Sequence, residues 1–129
     1  MIKIKNVYFE QISGPLFAGL LKKEWPIKTA YQLARIAERL QVEAKPYFSS
    51  KDKLIQKFGR KDKDGKVVPN KDGMVAIEDI MGFNAKIKEL QEIEIEIPLP
   101  KVDLSLIEDI KVSAEEMILM NPISNIMEG

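Results

Sequence analysis

Apolar residues recur on two different periods along this chain. Between Lys28 and Phe58, steps of three and four alternate through Ala30, Leu33, Ala37, Leu40, Ala44, Tyr47, Lys51, Leu54 and Phe58. Lys51 alone breaks the apolar series. The spacing predicts a long helix over about 28–58 with a seam for packing on a second helix. Ile80, Phe83, Ile87 and Leu90 repeat it over a shorter stretch. They predict a helix over about 79–91, an antiparallel partner for the first, which Gly82 weakens by up to about 1 kcal/mol. Pro46 falls inside the long run, but the pattern crosses it in phase. A kink is therefore expected, not a stop with a restart at Ser49 or Ser50. Gly59 offers a C-terminal cap.

The second period is two. Residues 2–8, Ile-Lys-Ile-Lys-Asn-Val-Tyr, alternate, and so do Glu92 to Ile97, which Pro98 and Pro100 close. Both predict half-buried strands. One outer face carries Lys3 and Lys5, the other Glu94 and Glu96. The two strands are expected to be neighbours, with isoleucines on the helices and opposite charges facing each other. Such cross-strand pairs contribute about 0.2–1 kcal/mol each.

Shorter signals fill in the rest. Ser13-Gly14-Pro15 predicts a helix start with Ser13 as N-cap. Leu16, Phe17, Leu20 and Leu21 form its apolar stripe to near Lys23, and Trp25-Pro26 breaks it. Thr29-Ala-Tyr-Gln32 is one candidate capping box for the long helix, and Pro26 or Lys28 are equivalent starts. Val67-Val68 and Met74 to Ile77, set among Asp-Gly turn signals, predict a β-hairpin over about 66–77. Ser105-x-x-Glu108 and Ser113-x-x-Glu116 are capping boxes. The second opens a helix through Met120 that Asn121-Pro122 stops. Ile110 and Val112 between them suggest a short strand. The fold class is α+β: an antiparallel helical hairpin on a small, mainly antiparallel sheet, with residues 1–129 as a single domain.

Composition narrows the chemistry. The 129 residues include no cysteine and no histidine. Disulfides, thiol catalysis, cysteine-based zinc sites and imidazole acid–base chemistry are excluded. Net charge is zero but unevenly placed. Residues 1–71 carry 16 Lys/Arg against 7 Asp/Glu, and residues 72–129 carry 4 against 13. Either the halves pack on each other, or the first presents a basic surface to an acidic partner. The longest apolar runs, such as Met117 to Met120, are too short to span a bilayer. The alternating start is neither a signal nor a transit peptide. The cytoplasm is the expected compartment, and no membrane association is expected.

Few residues suggest a site. Asp62-Lys-Asp-Gly65 and Asn70-Lys-Asp-Gly73 resemble calcium loops, but neither register places acids at positions one and twelve. Lys51, Lys53, Lys57, Arg60, Lys61, Lys63 and Lys66 could meet phosphates. Interspersed Asp52, Asp62 and Asp64 make nucleic acid an unlikely partner. Glu94 and Glu96 share a strand face without a third ligand. No metal or cofactor is expected. Trp25, Phe17 and Tyr31 are expected to cluster at the turn before the long helix, as core or as a contact hot spot. The seam exceeds its partners in length, which leaves Tyr47 to Phe58 wanting cover. The tail residues Ile123, Ile126 and Met127 are a second apolar surface. Trp25, Tyr31, Tyr47, Phe58, Ile123, Ile126 and Met127 are thus the candidate partner-binding residues, for a protein partner or a homo-oligomer.

A set of segments also carries a resemblance. These are Met-Ile-Lys-Ile-Lys-Asn-Val, Pro-Ile-Lys-Thr-Ala-Tyr-Gln-Leu-Ala-Arg, Leu-Ile-Gln-Lys-Phe-Gly, Ile-Glu-Ile-Glu-Ile-Pro and Leu-Ile-Glu-Asp-Ile-Lys-Val-Ser-Ala. Taken in order, they resemble a family of small uncharacterised proteins of tailed phages and prophages, mostly of Gram-positive hosts. The family offers no catalytic or ligand-binding residues to carry over. The resemblance implies an origin in a phage or prophage, not a reaction. The protein is expected to be non-enzymatic and to act through protein–protein contacts. It would be a virion- or assembly-associated component or, alternatively, a small inhibitor of a host enzyme or defence system. The expected location is then the bacterial host cytoplasm, or the virion.

Overall fold

The structure, a computed structural model, describes residues 1–59, 77, 79–104 and 110–125. Its elements are β1 (Ile2–Lys5), α1 (Tyr8–Gln11), α2 (Pro15–Leu21), α3 (Ile27–Phe58), α4 (Ile80–Gln91), β2 (Glu94–Ile97) and α5 (Ala114–Met120). A short 3-10 turn follows over Asn121–Ile123. The class is α+β, with a long helix, a second helix and a two-stranded antiparallel sheet. Among the described residues no helix is long and apolar enough to cross a membrane. The chain forms two compact units, Met1–Glu43 with Glu94–Gly129, and Ala44–Ile93.

In the first unit, β1 and β2 pair antiparallel with Ile2 opposite Ile97, Lys3 opposite Glu96, Ile4 opposite Ile95 and Lys5 opposite Glu94. Alternation puts the isoleucines inside, and Ile2, Ile4 and Ile97 are buried. Lys3 and Glu96 form an ion pair at 3.6 Å on the outer face. Both strands are shorter than the period-two runs. Glu92 caps the C-terminus of α4. At the other end, a helical turn begins at Asn6, whose carbonyl accepts from Phe9 N at 3.0 Å. Tyr8 and Phe9 are consecutive and both buried, which a strand cannot arrange but a helix can.

That unforeseen turn, α1, also takes Ser13. Its Oγ donates to the Glu10 carbonyl at 2.8 Å, so Gly14 is the N-cap of α2 and Pro15 its first residue. Phe17 and Leu20 of α2 are buried, and α2 packs on α5. The capping box at the start of α5 is complete. Ser113 Oγ accepts from Glu116 N at 3.2 Å, and Glu116 Oε1 accepts from Ser113 N at 3.0 Å. The Glu116 carboxylate also meets Lys23 Nζ at 3.4 Å. The Tyr8 hydroxyl donates to the Leu119 carbonyl at 2.6 Å, within the buried interior.

The C-terminal segment is held by a bridge not foreseen from the sequence. Val102 and Ser124 form a parallel bridge. Asn125 Oδ1 accepts from Leu104 N, and its Nδ2 donates to Asp103 Oδ1, both at 2.7 Å. Ile110 and Val112 form no strand. The Ser105 capping box lies outside the described residues.

Helix α3 starts at Ile27, and Ala30 N bonds to the Pro26 carbonyl at 2.8 Å. The Thr29 capping box is therefore not used, and Thr29 is buried. The helix runs on through Pro46 as one element, with no stop before Ser49. Its inner stripe in the first unit is Leu33, Ile36 and Leu40, all buried. Ala30, the first position of the predicted seam, is exposed instead.

In the second unit the α3 segment buries Tyr47, and Leu54 and Phe58 are half-buried. Phe83, Ile87 and Leu90 form the least exposed stripe of α4, and the Phe58 and Phe83 rings meet edge to face at 6.1 Å. Asp79 caps α4 by accepting from Gly82 N at 3.0 Å. A Cβ at position 82 would meet that carboxylate, so any larger residue there requires the Asp79 side chain to shift. The predicted hairpin over 66–77 lies outside the described residues except for Ile77, which bridges antiparallel to Gly59.

Two outcomes test this packing. Tyr8→Phe should lower the free energy of urea unfolding by about 1–2 kcal/mol, because the Leu119 carbonyl loses its buried donor. The Ser113 backbone bond, aided by Lys23, holds the Glu116 carboxyl below its ordinary value. A depressed carboxyl contributes stability above its unfolded pKa, and that stability is lost as pH falls through the folded value. Glu116→Gln should therefore flatten the decline of stability below about pH 4.5, measured as melting temperature against pH.

Candidate binding surface

The inner stripe of α3 leaves the opposite face of the same helix to solvent. At about 100° per residue, Tyr31, Arg35, Glu38 and Val42 lie within roughly 30° of one line, with Leu33 and Leu40 on the far side. Tyr31 is 65% exposed and Val42 56% exposed. Ile27, at the edge of this stripe, is 89% exposed. The first unit thus displays an aromatic and an aliphatic side chain on a rigid element that does not need them for its core.

Charge is arranged within that face. Arg39 pairs with Glu43 at 2.9 Å along the helix. Arg35 and Glu38 lie one turn apart with opposite charge. Neither side chain has an ion pair or hydrogen bond among the described residues. Beside them the turn after β2 contributes Pro98 and Leu99. Together with Arg35, Glu38, Arg39 and Val42 they line an open groove of about 400 Å³. Two arginines line this groove and Tyr31 stands on the same helix face, and arginine and tyrosine are enriched where protein contacts carry binding energy. A second depression of about 360 Å³ is lined by Met1, Lys3, Lys101, Asn121 and Pro122. Lys3 there is already paired with Glu96.

The seven candidates from the sequence scatter. Tyr31 sits on the outer face of α3, not with Trp25 and Phe17. Trp25 is buried, its Nε1 donating to the Leu20 carbonyl at 3.0 Å. Tyr47 is buried, with its hydroxyl accepting from Gln91 Nε2 at 3.5 Å and its ring against Phe48. Phe58 is half-buried against Phe83. Ile123 is fully buried beside the Val102 bridge. Ile126 and Met127 lie outside the described residues. Arg35, Glu38 and Val42 were not singled out, because the pattern of inward positions says nothing about which outward ones matter. The signal was present as an exposed Tyr–Val pair in phase with each other.

Among the described residues no three acidic side chains come together as a metal cluster would require. Glu96 faces Lys3, and Glu94 is opposite Lys5 in the register. The two Asp-Gly loops and the basic residues Arg60 to Lys66 lie outside the described residues. Lys51, Lys53 and Lys57 stand on the last turns of α3.

Stability measurements separate the two faces of α3. Tyr31→Ser and Val42→Ser should each change the unfolding free energy by less than about 0.5 kcal/mol. Leu33→Ala should cost about 2–5 kcal/mol. Urea titration of the three variants checks both.

No protein-family model, no curated protein and no solved structure matches the chain, so the chemistry of this face rests on the residues that form it.

Proposed function

We propose that this is a non-enzymatic phage or prophage protein that acts through protein–protein contacts, as a virion- or assembly-associated component in the bacterial host. The observation that carries the contact role is the outer face of α3. There Tyr31 and Val42 are exposed around the charged pair Arg35 and Glu38, beside the Pro98–Leu99 groove. Isolated exposed apolar residues are ordinary on a protein surface. Here two are aligned on one helix face, flanked by an arginine without a partner among the described residues, and that arrangement is what we read as a contact. The chain also lacks the cysteine and histidine on which much hydrolytic and transfer chemistry relies. The phage origin rests on the resemblance of the ordered segments from Met1 to Ala114.

Quantitative proteomics of purified particles tests the assignment. The protein should be present at a fixed copy number per particle, and Tyr31→Ser with Arg35→Ala should lower its incorporation. Absence from particles, with capture of a host enzyme through the same face, would point to an inhibitor instead. Incorporation unaffected by the two substitutions would remove the face from the reading.

A further inference from the structure

We draw no further inference here: the strongest candidate, the outer face of α3 around Tyr31, Arg35, Glu38 and Val42, is an unpartnered helix face whose stripe continues through exposed Lys28 and Lys45, and nothing in the structure shows what covers it.

Discussion

The pairing of β1 with β2 is the constraint from which the first unit follows. It brings Ile2 opposite Ile97, so strands near opposite ends of the first ninety-seven residues must meet. The loop-closure entropy this costs grows only slowly with the length enclosed. Burial of Ile2, Ile4 and Ile97 offsets it, at about 1.5–3 kcal/mol for each fully buried side chain. The outer ion pair of Lys3 with Glu96 adds little in energy but fixes the register, because a one-residue slip would turn lysines and glutamates inward. Along the chain, β2 starts three residues after α4 ends.

Given that closure, α3 is asked to do two different things on its two sides. Leu33, Ile36 and Leu40 fill the interior of the first unit. A surface helix normally sets charged residues opposite such a stripe. Here Tyr31 and Val42 occupy the outer side, where most of their surface stays exposed. Such residues are also poor for solubility, which makes their alignment with Arg35 and Glu38 informative. The same helix keeps its three-four phase across Pro46, whose ring nitrogen cannot donate to the Val42 carbonyl. Burial of Tyr47, the next residue, anchors the helix there.

What could be read from the sequence was whatever obeyed a period. Both long helices, the strand pairing with its charge partners, the Ser113 box and the stop at Asn121-Pro122 all follow from local patterns that packing does not override. The misses share another cause. Tyr8 and Phe9 are needed side by side in the interior, so tertiary burial converted the end of a strand pattern into a helical turn, whose Glu10 carbonyl then takes the Ser13 hydroxyl. Thr29, not Ala30, faces inward, because the start of α3 is set by Trp25-Pro26 and its rotation by Leu33 and Leu40. The Val102–Ser124 bridge involves one residue on each side and leaves no periodic trace. The candidate surface was the least legible feature. Trp25 and Tyr31 look alike in sequence, and only the direction of each side chain shows that Trp25 bonds to Leu20 within the chain while Tyr31 points to water.

The uneven charge of the two halves has a structural meaning in the first unit that bears on what its surface can recognise. Lys3 with Glu96 and Lys23 with Glu116 each join a base from the first half to an acid from the second. Part of the basic excess is therefore spent holding the unit together. On the outer face of α3, Arg39 is balanced by Glu43 and Arg35 by the nearby Glu38 in sum, though not in contact. The chain contains no histidine, the side chain whose ordinary range spans neutral pH. A contact through this face would draw its selectivity from the order of side chains along one helix, and salt would weaken its charged part.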